Sequence, residues 1–443
     1  MKNVAVISLG CDKNRIDTEH MLYRLVQVGF AVSAAEDADI IIVNTCAFIE
    51  SAREESIDTV LYYAQFKKTG KCKKLIVTGC LPQKYMSELV ESLPEVDGFL
   101  GTFDYEKIVD IVSDDGANSE AAAAQNDTDE PDKFTAAENC GRLLTTFPHV
   151  AYLKIAEGCN NKCTFCTIPS IRGGYKSRPI ADIAGEAQKL VNDGVKELIL
   201  VAQDVSRYGM DINSSLVELL TELEKLPVII RLLYCYPEMV TDELIQKIAS
   251  SKNIAKYIDI PIQHSSDKIL KLMNRKTTGL AVEKLINKLH KHGIVVRTTL
   301  MVGFPGETQK EFDELCDFVT RVKPEYAGVF AYSREEGTAA AFLPDQVSKS
   351  DKLKRVKALG KVCTAVTKQF NAGLVGKTLR VIYEDADFDK NLFVGRAEFQ
   401  TPDVDGVVYF KGNEVDVGKF YEVEVTKSDN YDLYGKITGV HSQ

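Results

Sequence analysis

Three cysteines in one short loop carry the densest chemistry in the chain: Cys159, Cys163 and Cys166, in Glu157-Gly158-Cys159-Asn160-Asn161-Lys162-Cys163-Thr164-Phe165-Cys166. The spacing C-x3-C-x2-C lets one loop wrap a single metal centre, and thiolates suit zinc or an iron-sulfur cluster. A structural zinc wants a fourth ligand, usually Cys or His at similar spacing. The next cysteine is Cys235, and no histidine lies close by. A cubane held by three cysteines instead keeps one iron open for a substrate or cofactor. The spacing, and the glycine before the first cysteine, favour ligation over three buried or spare thiols.

Three further cysteines are far apart in sequence yet stand in equivalent places. Cys11, Cys46 and Cys80 follow Leu9-Gly10, Asn44-Thr45 and Thr78-Gly79, each after an apolar run. Val4 to Leu9, Ile40 to Val43 and Leu75 to Thr78 read as strands; Asp17 to Val28, Ser51 to Lys67, Gln83 to Ser92 and Tyr105 to Val112 read as helices. That alternation over residues 1–112 predicts a parallel sheet covered by helices. Ligands of such sheets gather outside the carboxyl ends of the strands. The three thiols are therefore expected to converge on a second three-thiolate site, the alternative being three unrelated buried cysteines. Cys72, Cys140, Cys235, Cys316 and Cys363 show no such pattern and read as structural.

From Ser113 to Asn139 the chain turns to Asp, Asn, Ser, Glu and Ala with almost no large apolar residue, so residues 113–145 read as a flexible linker. Alternation resumes over residues 146–345. Strands are expected at Val150 to Ala156, Glu197 to Ala202, Ile229 to Tyr234, Tyr257 to Ile262, Val295 to Met301 and Ala327 to Tyr332, with helical patterns between them. Six βα units predict a full or partial parallel barrel whose chemistry sits at the strands' carboxyl ends. The cysteine loop ends the first of those strands. Gln203-Asp204, Gln263-His264-Ser265-Ser266 and Gly303-Phe304-Pro305-Gly306-Glu307-Thr308 end later ones and are candidates for ligand contact. The glycine-rich turn either brings backbone close to a ligand or merely shapes a loop. Arg297, inside an apolar strand, needs an anionic partner: a carboxylate ligand, or an Asp such as Asp259. His264 reads as standing behind the site rather than as a catalyst. Residues 346–375 read as a helical connector. Over residues 376–443, five short strands with Gly, Asp and Asn turns predict a small antiparallel β-barrel.

The 443 residues, 45% hydrophobic and 27% charged, fit an ordinary globular protein of two or three domains. No run approaches the roughly 18 apolar residues of a membrane span, and Met1 to Ile7 runs into a strand without a leader pattern. A cytoplasmic protein without a membrane partner is expected. Its 11 cysteines then point to metal or catalysis rather than disulfides. The net charge of -10 argues against a broadly basic nucleic-acid surface. From Gly376 onward, eight Lys and Arg face thirteen Asp and Glu, so the terminal barrel fits a basic protein better than RNA. Lys411, Lys419 and Lys427 are the patch that argues otherwise.

The run Cys159-x3-Cys163-x-Phe165-Cys166 resembles the signature of radical S-adenosylmethionine (SAM) enzymes. Together with Cys11, Cys46 and Cys80 upstream and the small barrel behind, the whole chain resembles the methylthiotransferases. That resemblance implies an N-terminal domain with an auxiliary cluster, a radical-SAM barrel and a terminal TRAM domain. Ser8-Leu9-Gly10-Cys11-Asp12-Lys13-Asn14, Leu153-Lys154-Ile155-Ala156-Glu157-Gly158-Cys159 and Pro261-Ile262-Gln263-His264 resemble the RimO branch, which modifies an aspartate of protein twelve of the small ribosomal subunit. The tRNA-modifying MiaB branch usually shows Gly-Cys-Gln-Met-Asn at the first cysteine and lacks the His after Pro-x-Gln. Asp12 stands where many sequences of the RimO branch have Pro, and Gln203-Asp204 where many radical SAM enzymes have Gly-Gly-Glu.

The resemblance implies two 4Fe-4S clusters, on Cys159, Cys163 and Cys166 and on Cys11, Cys46 and Cys80. SAM would bind the open iron of the first, placed by Gln203, Asp204 and Arg297, with Gly303 to Glu307 shaping the pocket. No catalytic residue is implied beyond the cluster ligands; an electron donor is. The implied reaction is methylthiolation of the aspartate β-carbon through a 5'-deoxyadenosyl radical, with sulfur presented by the auxiliary cluster. The alternatives are methylthiolation of a tRNA adenosine and a non-catalytic, metal-bearing ribosome-interaction protein.

Overall fold

The computed structural model describes residues 2–113, 141–412 and 415–440. Nearly all of the expected linker, and Cys140, lie outside these residues. The first sheet contains β1 (Asn3–Ser8), β2 (Ala31–Val32), β3 (Ile40–Thr45), β4 (Lys74–Gly79) and β5 (Gly98–Leu100), in the order β2-β1-β3-β4-β5. Every pairing in it is parallel. All six residues of β3 are buried, as expected of a strand covered on both faces. β2 and β5 are too short to leave a sequence pattern. The helix Asp12–Gln27 starts five residues before the expected Asp17, because its first turn, Asp12-Lys13-Asn14-Arg15, lacks apolar periodicity. Lys13, Asn14 and Asp17 are nevertheless buried, since the next domain covers them.

The second sheet contains β6 (Val150–Lys154), β9 (Glu197–Val201), β10 (Ile229–Leu232), β11 (Ile254–Asp259), β12 (Val295–Val302) and β13 (Tyr326–Ala331); a short antiparallel pair, β7 (Ala156–Glu157) and β8 (Lys176–Ser177), lies between the first two. The order β13-β12-β11-β10-β9-β6 is parallel throughout and does not close, giving a partial barrel. Amphipathic helices cover its outside. Gln309–Val322, for example, starts at a Thr308/Glu311 capping box and buries Phe312, Leu315, Phe318, Val319 and Val322 at helical spacing. Among the described residues, no helix is long and apolar enough to cross a membrane.

The last unit contains β14 (Thr378–Asp387), β15 (Leu392–Ala397), β16 (Val408–Lys411), β17 (Phe420–Ser428) and β18 (Leu433–Val440), closed in the order β14-β15-β16-β18-β17. It is not wholly antiparallel as expected, for β16 and β18 pair in parallel. An odd number of strands in a closed ring cannot alternate direction all the way round, so one parallel pairing is forced.

This barrel seals the amino end of the larger one through buried charge. Glu197, the first residue of β9, accepts from Arg231 Nε and Arg396 Nη2, both at 2.6 Å, and Arg396 also holds Glu384 at 2.8 Å. Burial pushes the Glu197 carboxyl up, but the two guanidiniums outweigh it and hold it at about 2. The folded value lies below the ordinary 4.5, so the contribution is complete above about pH 4.5 and is lost as pH falls toward 2, a span of about 3 kcal/mol. Glu197→Gln is expected to flatten the acid limb of the melting-temperature profile over that window. Arg396→Ala, which removes the cation shared by two buried carboxylates and leaves Glu197 to Arg231 and Glu384 to His149, should cost about 3 kcal/mol near neutral pH, read as a lower melting temperature. Unchanged profiles would refute this view of the interface.

Candidate functional site

The cysteine loop leaves β7 through Gly158, whose φ is +76° and whose place a Cβ would fill only 2.1 Å from the Gly174 carbonyl oxygen. Only glycine fits both constraints. The loop is then pinned along its length. Asn161 Nδ2 donates to Asp204 at 2.8 Å, Asn274 Nδ2 donates to the Lys162 carbonyl at 2.7 Å, and Thr164 Oγ1 donates to the Leu272 carbonyl at 2.8 Å. Each thiol of this trio has a donor. The Asn161 and Ile168 amides lie 3.4 Å from Cys159 Sγ and Cys166 Sγ, while the Tyr236 hydroxyl is 3.1 Å and Arg275 Nη1 4.0 Å from Cys163 Sγ. Burial pushes the thiols of Cys159 and Cys166 up, the latter to about 12. Thiolates there require a strong positive partner such as a metal.

Cys11, Cys46 and Cys80 come together at the carboxyl ends of β1, β3 and β4. Gly10, at φ +88°, lies so close to Cys46 that a Cβ would sit 2.9 Å from its Cβ and 3.2 Å from its Sγ. The thiols of Cys11 and Cys80 both face Asn14 Oδ1, at 4.0 and 3.6 Å. Asn14 is held by its own donations to the Thr45 and Leu9 carbonyls at 2.8 and 3.2 Å. Burial pushes the Cys80 thiol to about 12, with Arg172 pulling against it. Among the described residues, no three His, Cys, Asp or Glu side chains are grouped so as to hold a single metal ion. The donor sets themselves, three thiols with N–H or guanidinium donors at sulfur, fit thiolate-held iron-sulfur chemistry.

The chain just past Cys166 is tied to the unit that carries the second trio. Arg172, six residues after Cys166 and buried, donates to Glu157 at 2.9 Å, Asn14 at 2.6 Å and Asp17 at 3.1 Å, and lies 3.7 Å from Cys80 Sγ. Lys154, the last residue of β6, reaches Asp17 at 2.6 Å, and Thr167 Oγ1 lies 3.4 Å from the Phe48 carbonyl, two residues past Cys46. Asp17, Glu157 and Arg172 escaped sequence reasoning as functional residues. The signal was present in Lys154 and Glu157, charges set in and directly after a wholly buried strand.

The residues expected to place SAM divide into two groups. Gln203 donates to Glu157, and Asp204 accepts from Asn161 and Ser206, so both stand beside the cysteine loop. Burial pushes the Asp204 carboxyl up. Glu307 faces its own loop, accepting from Gly303 N at 2.8 Å and from Arg355 at 2.7 Å, and thereby folds the turn that starts at Gly303. Arg297 does not join the site. It is the third residue of β12, about 17 Å by strand rise from the carboxyl end at Val302, and its guanidinium lies 2.9 Å from Asp405 of the terminal barrel and 3.8 Å from Asp259. Protein carboxylates, not a ligand, satisfy its charge.

Comparison with known proteins agrees with this architecture. Residues 3–101 match the model of the Uncharacterized protein family UPF0004, residues 153–319 that of the Radical SAM superfamily, and residues 375–438 that of the TRAM domain. Two solved structures share the fold at low identity: the radical S-adenosylmethionine methyltransferase TsrM from Kitasatospora setae, with cobalamin and a [4Fe-4S] cluster bound (TM-score 0.56, 15% identity, 77% of each chain), and the cobalamin-dependent S-adenosylmethionine radical enzyme OxsB (TM-score 0.50, 12% identity, 82% of this chain and 56% of that one). The "Ribosomal protein uS12 methylthiotransferase RimO" of Clostridium botulinum (strain Hall) is 46% identical over 98% of both chains, and that of Citrifermentans bemidjiense is 45% identical over 98% of both. With near-complete coverage of both chains at this identity, and with both cysteine trios gathered at one interface, the chain belongs to the RimO family of radical SAM methylthiotransferases.

Proposed function

We propose that this chain methylthiolates the β-carbon of an aspartate in protein twelve of the small ribosomal subunit (uS12), the protein named in its relatives' descriptions. Membership in the radical SAM superfamily implies a 4Fe-4S cluster and SAM. Cys159, Cys163 and Cys166 would hold that cluster. Cys11, Cys46 and Cys80 would hold a second, with residues 1–112, 146–345 and 376–443 as the three working units. When bound, these groups supply radical formation from SAM and a source of sulfur.

The chain's own residues do the rest. Asp204 and Asn161 fix the first loop, Asn14 and Gly10 gather the second trio, and Arg172 with Lys154 locks one unit onto the other. The ion pairs of Asp17 with Lys154 and of Glu157 with Arg172 are buried at that junction. The observation that supports this reading is the Arg172 bridge, which joins the chain just past Cys166 to Asn14, Asp17 and Cys80 of the first unit. An external one-electron donor completes the scheme.

The test reconstitutes the protein with iron and sulfide and incubates it with SAM and reductant, offering protein twelve and tRNA in parallel. The expected result is deoxyadenosine formation and a gain of one methylthio group on protein twelve. Gain on tRNA alone would overturn the substrate, and no deoxyadenosine would overturn the reaction class. The acidic terminal barrel supports the protein substrate: Lys419 is already taken by Asp416 at 2.6 Å, and Lys427 lies over the Tyr434 ring.

A further inference from the structure

The buried cations at the domain interface come with carboxylates: Lys154 with Asp17, Arg142 with Glu19, Arg172 with Glu157. Lys13 is different. It is 7% exposed, yet among the described residues no Asp or Glu oxygen lies within 4.0 Å of its ammonium, and the buried Asp259 carboxylate acts on it only from beyond that distance. Its Nζ lies 3.7 Å from the centre of the Tyr234 ring. Attraction to a ring face offsets only part of what burying an ammonium costs. Its position adds to that cost. Lys13 sits in the first turn of Asp12–Gln27, where the helix dipole disfavours a cation, and the N-cap residue Cys11 contributes no side-chain cap bond. Both defects would be relieved by an anion.

The surroundings say where that anion goes. Lys13 is two residues from Cys11. Tyr234, beneath it, holds a left-handed φ of +57° just past the end of β10 and donates its hydroxyl to Asp12 at 2.8 Å. Two residues on, Tyr236 touches Cys163. Lys13 therefore lies between the trio that begins at Cys11 and the loop that carries Cys163. The cation facing the thiol of Cys80 is Arg172 and that facing Cys163 is Arg275, so neither thiol requires Lys13.

We propose that Lys13 receives the side-chain carboxylate of the substrate aspartate. This rests on the function proposed above and supplies its missing anchor. The carboxylate is one bond from the β-carbon, so fixing it fixes the carbon to be modified between the two thiol sites.

The test uses the reconstituted full chain and protein twelve in two forms, with aspartate or asparagine at the modified position. Wild type should bind the aspartate form at least about 30-fold more tightly, the range of a buried charge pair. Lys13→Gln should bring that ratio close to one, and Lys13→Arg should restore most of it. A Lys13→Gln protein that keeps the wild-type ratio overturns the assignment. So does one that loses both forms equally, which would mark Lys13 as structural. If wild type neither binds nor methylthiolates protein twelve, the proposed function falls and the assignment with it. If wild type does both and Lys13→Gln still discriminates, only the assignment falls.

Discussion

A variant with Cys159, Cys163 and Cys166 all changed to alanine is expected to keep about half of its iron after reconstitution and to form no deoxyadenosine from SAM above background. The reciprocal variant, lacking Cys11, Cys46 and Cys80, should also keep about half of its iron, cleave SAM, and leave protein twelve unmodified. The split follows from the geometry. The first trio is built by the loop that follows β7 and braced by Asp204, Asn274 and Leu272, all within the partial barrel. The second is built on β1, β3 and β4 and braced by Asn14. Neither set of supports depends on the other's thiols. Iron counting, with deoxyadenosine and modified protein measured on the same samples, checks all three quantities. Loss of all iron from either variant would show one composite centre in place of two.

Changing Arg172 to methionine should cost about 3–5 kcal/mol, since a buried charge is removed and its partners stay behind. Glu157 would be left to Lys154 at 3.3 Å and to the neutral donor Gln203, and Asp17 to Lys154 at 2.6 Å. Arg172→Lys should recover little, because one ammonium cannot reach Glu157, Asn14 and Asp17 together as the guanidinium fork does. The catalytic effect should exceed the effect on SAM cleavage. Cleavage draws on the first loop, whereas methylthiolation needs the two thiol sites at a fixed separation, and a displacement of about 1 Å can cost roughly 10²-fold. A lowered melting temperature together with a raised ratio of deoxyadenosine to modified protein is the expected pair of results. An unchanged ratio would mean that the two units are held in place by other contacts.

The six ligand candidates and the three architectures were legible because they rest on local signals. Gly10, Gly79 and Gly158 precede three of the cysteines, and unbroken apolar strands such as Ile40-Ile41-Ile42-Val43 precede the second trio. What was not legible depends on contacts between units. The helix Asp12–Gln27 begins early because Asn14 and Asp17 are buried by residues more than 130 positions later, which no local periodicity records. Arg297 illustrates the converse. An arginine in an apolar strand announces an anion but not its origin, and Asp405 lies 108 residues away. The direction of β16 against β18 was fixed by ring closure, a property of the strand number rather than of any one strand.

The bridge at Arg172 also sets an order of events during synthesis. The last helix of the first unit ends at Ser113, 59 residues before Arg172, so at about 5–20 residues per second the completed first unit waits roughly 3–12 s for its lock to be translated. Throughout that interval Arg172 is not yet there to cover Asn14, Asp17 and Cys80. In the docked chain Cys11 alone of that trio is exposed while Cys46 and Cys80 are buried, so iron and sulfide offered before docking would meet all three thiols and offered after it would enter past Cys11.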